Sequence, residues 1–279
     1  MNFEDIYNQA IKTSQNLVED VRFSRSITTE VIKNCSEQIC LYLDTNTNIL
    51  SLLNTVQDKY PYMFSHPVNV AFISCAIGKW MNIDRTELIN LVCTGLLHDI
   101  GKAKIRDSIL NKPGTLLAAE MEIMKTHPAI GYKLLESLGS LETDILLGVL
   151  SHHERQDGSG YPNGLKGKQI SIFARIVAVA DVFSAITSTK AYKMKTSFFK
   201  AVEEIQENSF GYLDPQICQI FMNHILNYYC GSQVRLSNEL VGVIVYINPT
   251  EKTKPVVRCE NSFFNLTKER HLEIVDILS

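Results

Sequence analysis

HHERQDGSGYP, residues 152–162, sets two adjacent imidazoles and a carboxylate directly against a glycine-rich turn closed by proline. The residues before it, TDILLGVLS, repeat apolar side chains at helical spacing, so a helix gives way to a turn at the histidines. Imidazole is the commonest metal-ligating side chain, and glycine lets the backbone that follows turn tightly. Metal chemistry here requires further ligands from elsewhere in the chain.

Those ligands are available in four other segments. The chain has seven histidines, and besides His152 and His153 they include His66 in SHPVNV, His98 in LLHDIGK and His127 in KTHPAIG. Two acids accompany them. Asp99 directly follows His98, and Asp181 sits in VAVADVFSAI, an apolar stretch in which an unpaired carboxylate is costly to bury. Neighbours on a helix diverge by about 100°, so the pairs His98-Asp99 and His152-His153 can reach two ions or two sides of one. Taken singly, His66 and His127 read as hydrogen-bonded structural histidines, Asp181 as a partner of Arg175, and Asp99 as a helix-end residue. His224 and His271 lack such company and stay in that class. As a set, imidazoles and carboxylates without thiolates suit iron, manganese, nickel or zinc, and a bridging carboxylate would hold two ions ~3.5–4 Å apart for phosphoester displacement.

Around this set the chain reads as helical. Residues 1–57 carry apolar side chains at helical spacing (Ile6, Ala10, Leu17, Val21; Val31, Cys35, Ile39, Leu43), and the same period recurs through residues 58–230. Asp214-Pro215 marks the start of the last helix, with aspartate as cap. From 231 to 279 β-branched residues in short runs predict a small β-rich extension. At 45% hydrophobic residues a sizeable core can be buried, and a net charge of −3 argues against general nucleic-acid or anionic-membrane binding. The seven cysteines contain no CxxC pair, no run of ~18 apolar residues occurs, and the amino terminus has no leader pattern. A soluble, cytoplasmic protein is expected, with no membrane association.

HDIGK (98–102), HP (127–128), HHERQDGSGYP (152–162) and VADVFSAITSTKAY (179–192), read in order, resemble the HD-GYP family, a bacterial branch of the HD-type metal phosphohydrolases. The resemblance covers residues 60–230. LLNTVQDKYPYMFSHPVNVA resembles the helices that precede the metal site in full-length members, and the β tail resembles an extension found in some. It implies an all-α fold: an HD-type helical bundle as catalytic core, with N-terminal helices and a small C-terminal β appendage. It implies hydrolysis of the second messenger cyclic di-GMP to linear pGpG, and in some members to GMP. Cyclic GMP-AMP hydrolysis, or a weakly active metal-containing sensor or interaction module, is the alternative.

The resemblance also assigns roles. His66, His98, Asp99 and Asp181 would hold one ion, and Asp99 would bridge to a second held by His127, His152 and His153. A water or hydroxide between the ions would be the nucleophile. Lys102 would grip the scissile phosphate. Tyr161 would face the substrate from a loop that borders the nucleotide pocket and is also implied to contact protein partners. Lys190 would contact substrate, with Lys193 and Arg155 weaker candidates. Tyr62 stands where some members carry a third-site glutamate, so two ions are expected, with iron or manganese ahead of nickel or zinc. Lys190 stands where an arginine is common, which exchanges a planar fork for a point charge. Leu117 replaces a helix-capping threonine and should weaken the helix that starts there. Oligomeric state is left open, a dimer included.

Overall fold

The computed structural model describes residues 2–46, 49–56, 59–187, 198–208, 211–248 and 251–278. Some helices begin where the sequence supplies a side-chain acceptor for the first orphan amides. Asn2 accepts from Asp5 N at 2.9 Å and opens α1 (Phe3–Arg22). Asp84 accepts from Thr86 N and Glu87 N at 3.0 and 3.1 Å and opens α5 (Arg85–Leu97). Between them lie α2 (Thr29–Thr45), α3 (Ile49–Val56) and α4 (Tyr62–Trp80). A 3-10 turn, Ile100–Lys104, leads into α6 (Asp107–Leu110), α7 (Ala118–Met124), α8 (His127–Glu136), α9 (Thr143–Ser151) and α10 (Ile172–Thr187). The helices α11 (Phe198–Asn208) and α12 (Pro215–Tyr228) close the helical body. As expected, Asp214 caps α12, accepting from Gln216 N at 2.9 Å and Ile217 N at 3.2 Å.

Helix α4 is the axis of the bundle. Every residue from Val70 to Gly78 is buried, and α1, α5, α10 and α12 pack around it. A helix apolar on all faces has no solvent side to keep polar, which is why its hydrophobic stripe is not confined to one face. The approach of α5 is set by Gly95: a Cβ there would lie 2.7 Å from Ala71 Cα, so only glycine lets the two backbones meet. The buried side chains of α1 and α2 belong to the same continuous core as those of α4, α5 and α10.

Leu117 is the N-cap of α7 and offers no side-chain acceptor, as its identity requires. Half of a capping box persists nonetheless, because Glu120 reaches back to accept from Leu117 N at 2.7 Å. The missing threonine is therefore partly compensated by the glutamate three residues on.

The C-terminal segment forms a five-stranded antiparallel sheet from β1 (Gln233–Leu236), β2 (Val241–Tyr246), β3 (Val256–Cys259), β4 (Ser262–Asn265) and β5 (Ile274–Ile277), in the order β4-β3-β2-β1-β5. Val234, Leu236, Ile244 and Val257 point inward and join the common core, following the period-2 alternation of a half-buried sheet. Among the described residues no helix is long and apolar enough to cross a membrane.

Candidate metal centre

Helix ends deliver most of the ligands. His66 lies in the second turn of α4, His98 caps the end of α5 with Asp99 next to it, and His127 opens α8 with Pro128 in its first turn. His152 caps the end of α9, His153 follows, and Asp181 projects from the middle of α10. Their ligand atoms gather into two groups, Asp99-His127-His152-His153 and His66-His98-Asp181, each within 4.8 Å. Asp99 joins the groups. Its Oδ1 lies 3.3 Å from His127 Nε2 and 3.9 Å from His152 Nε2, while its Oδ2 lies 3.4 Å from His98 Nε2 and 3.8 Å from His66 Nε2. His66 Nε2 is 2.9 Å from Asp181 Oδ1.

The backbone fixes how the rings point. Nδ1 of His98, His127 and His152 each lies 2.8 Å from the carbonyl three residues earlier, of Gly95, Met124 and Val149. A carbonyl only accepts, so Nδ1 carries the proton and the Nε2 lone pair faces the centre. His66 Nδ1 is held at 2.9 Å by Ser184 Oγ. Lone pairs are consequently crowded together: His127 Nε2 and His152 Nε2 are 3.3 Å apart. Among the described residues, His98 Nε2 and Asp99 Oδ1 are buried without a hydrogen-bond partner. Acceptors packed in this way repel one another unless a cation lies among them, so the donor set fits bound metal ions.

Electrostatics favours the ligand forms. Burial pushes the Asp99 carboxyl up, but the Lys102 ammonium and the His98 and His127 rings outweigh it and hold it well below the usual carboxylate range. Asp181 is treated the same way, burial being overcome by His66 and its neighbours. Burial lowers His66, and burial together with the surrounding imidazoles lowers His152 well below its ordinary value. His153 is pushed down to about 3, mainly by burial. His98 differs: Asp99 beside it overcomes burial and raises its pKa. Lys102 Nζ sits 2.6 Å from Asp99 Oδ2, and burial, which lowers its pKa, loses to the Asp99 and Asp181 carboxylates, which raise it.

The GYP loop folds back over this centre. Gly158 has φ +82°, a conformation side chains resist, whereas Gly160 is required for space, since a Cβ there would lie 2.4 Å from Arg155 N. Tyr161 N donates to His153 O at 3.2 Å, and its ring stacks on His153 at 4.7 Å. Glu154, which residue type alone groups with the adjacent histidines, faces away from the ligands. It is 2% exposed, and its two oxygens accept from Asn163 N at 2.6 Å and Leu165 N at 2.9 Å. Ser184 likewise escapes sequence reasoning, because nothing local marks it as the support of His66. Arg175 does not take the role open to it had Asp181 stood alone: it pairs with Asp214 at 2.8 Å, and Asp181 meets His66. His224 stacks on Trp80 at 4.6 Å on the surface, and His271 is exposed. Arg155 is half-buried, and its Nη1 has no hydrogen-bond partner among the described residues. Lys190 and Lys193 lie outside the described residues. Tyr62 stacks on His66 at 4.8 Å.

A cavity of about 740 Å³ opens onto the centre, lined there by His66, Asp99, Lys102, His127, His153 and Tyr161. That volume lies within the ~300–1,000 Å³ typical of small-molecule sites.

An HD domain family model matches residues 51–217, and the chain belongs to the HD domain family. Its HDIGK and GYP segments set it within the HD-GYP branch. A cyclic di-GMP phosphodiesterase of Pseudomonas aeruginosa is 33% identical over 230 residues, covering 82% of this chain and 55% of that protein. A 3'3'-cGAMP-specific phosphodiesterase of Vibrio cholerae is 31% identical over 225 residues, covering 78% of this chain and 48% of that protein. The chain thus spans about half the length of these curated relatives. Among solved structures, an HDG"Y"P protein from Bdellovibrio bacteriovorus shares the fold, with a TM-score of 0.65 at 18% identity over 80% of this chain and 70% of that one.

Proposed function

We propose that the chain is a metal-dependent phosphodiesterase that hydrolyses cyclic di-GMP to linear pGpG. The observation that carries this is the division of Asp99, one oxygen toward each group of ligands. His66, His98, Asp99 and Asp181 would hold one ion, and Asp99, His127, His152 and His153 the second, iron or manganese ahead of nickel or zinc. Bound ions supply charge to the phosphodiester and lower the pKa of water. The protein's own part is to fix the Nε2 lone pairs through Nδ1 clamps, to keep the carboxylates ionised with Lys102 and the surrounding imidazoles against the opposing effect of burial, and to wall the cavity with Tyr161. Lys102, beside Asp99 in the cavity, donates to a non-bridging phosphate oxygen. Lys190 and Lys193 are further proposed substrate contacts.

Tyr62 against His66 supports a count of two ions and not three. A reducing, cytoplasmic setting agrees with cysteines that are all unpaired. The exposed Asp157, Ser159 and Pro162 leave the GYP loop accessible to a protein partner. Cyclic GMP-AMP is the second reading, favoured by the cGAMP-specific relative. The test is chromatographic product analysis after mixing anaerobically metallated protein with each cyclic dinucleotide, with elemental analysis of the same sample. Linear product and about two ions per chain are expected. Two bound ions with neither nucleotide cleaved would overturn the assignment.

A further inference from the structure

The cavity has further polar lining, built from residues that no metal role involves. Arg22, the last residue of α1, meets Asp107, the first of α6, with Nη2 to Oδ1 at 2.8 Å. Asn111 Nδ2 donates to the same Oδ1 at 3.5 Å. All three line the cavity that also reaches the metal ligands. Much of the remaining lining is apolar, with Leu17, Val18, Met63 and Phe64 among its members. On α1 the lining residues Ser14, Leu17, Val18 and Arg22 recur at three- and four-residue spacing, so one face of the C-terminal half of that helix lines the cavity.

Resting on the phosphodiesterase assignment above, we infer that Arg22, Asp107 and Asn111 form a base-reading subsite that selects guanine over adenine. A cyclic dinucleotide carries its phosphodiesters in the central ring and its purines outside it. With one phosphodiester at the metal centre, a purine face meets apolar wall and its edge meets the trio. Guanine offers N1–H and N2–H₂ as donors, which a carboxylate accepts, and O6 and N7 as acceptors, which a guanidinium fork matches. Adenine offers a lone pair at N1, which faces the Asp107 carboxylate unfavourably. The Arg22–Asp107 pair holds both groups in position before a base arrives, which limits the ordering cost of capture. Asp107 is 67% exposed, so water competes and the discrimination falls toward the lower end of a good base contact, roughly ten-fold. Arg22 lies outside the 51–217 segment matched by the family model, so the family motifs carry no information about it.

The experiment is competition kinetics with the metallated protein, comparing kcat/KM for cyclic di-GMP and cyclic di-AMP in the wild type, Arg22→Ala and Asp107→Asn. The wild type should favour the guanine substrate. Each variant should lower the guanine-to-adenine ratio roughly ten-fold, mainly through KM, with metal content unchanged. Asp107→Asn should move furthest toward adenine, because a carboxamide donates to N1 and accepts from N6–H₂. A trio that merely ties α1 to α6 would depress both substrates alike and leave the ratio fixed, which overturns the inference, as does a wild type without guanine preference. Cleavage of no cyclic dinucleotide by the metal-loaded wild type would instead defeat the phosphodiesterase assignment itself.

Discussion

Replacing Glu154 by alanine removes the acceptor for two backbone amides that hold the far side of the GYP loop, Asn163 N at 2.6 Å and Leu165 N at 2.9 Å. Hydrogen bonds to a charged group contribute about 1.5–3 kcal/mol each. Asn163 is exposed and Leu165 half-buried, so water recovers part of the loss, and the expected destabilisation is about 3 kcal/mol. For a chain of this size that corresponds to a fall in Tm of roughly 6–12 °C. Glu154→Gln keeps a carbonyl oxygen for one amide and should lose about half as much. Thermal and urea unfolding of metal-loaded protein measures both. Because Tyr161 stacks on His153 from this loop, the alanine variant should also raise KM for the nucleotide. An alanine variant within about 0.5 kcal/mol of the wild type would refute the idea that Glu154 fastens the loop.

Three further outcomes are expected. Asp99→Asn keeps the shape but loses the charge and one oxygen, so circular dichroism should be unchanged while elemental analysis shows metal loss and turnover falls roughly 100-fold or more; retention of both ions with normal turnover would count against the bridge. Gly101→Ala would put a Cβ 2.0 Å from His127 O and 2.7 Å from Gly131 N, both backbone atoms of α8; displacing that helix should cost about 3 kcal/mol or more and reduce metal content, and a variant with wild-type Tm and full metal would contradict the packing. In the chelated protein, the His153 pKa of about 3 lies below its unfolded value near 6.5, so the unfolded state binds the extra proton as pH falls. Stability should therefore drop between pH 7 and 5, by about 2 kcal/mol from His153 alone, with His66 and His152 adding and the raised His98 opposing. Urea unfolding at the two pH values checks the sign, and equal or greater stability at pH 5 would contradict it.

Much of the site was written in residue types. The five clustered histidines, Asp99 and Asp181 stand out because a chain seldom buries so much polar chemistry inside apolar helical segments without a ligand to satisfy it. The helices themselves follow from local causes, the 3.6-residue period and caps such as Asp84 and Asp214, and the β tail from its β-branched runs. What lay beyond the sequence depends on how distant segments pack. Nothing local distinguishes an Arg175 that serves Asp214 from one that serves Asp181, or a Glu154 that fastens a loop from one that ligates a metal; the angle at which each helix meets its neighbours makes that choice. The same holds for the division of Asp99's two oxygens, which follows from where α4, α5, α8 and α9 end in space. It holds most fully for the cavity wall on α1, where Arg22 meets Asp107 across 85 positions of chain. A contact at that separation has no periodicity or motif to announce it, and the packing of α1 against α4 and against the 3-10 turn that leads into α6 brings the two charges together.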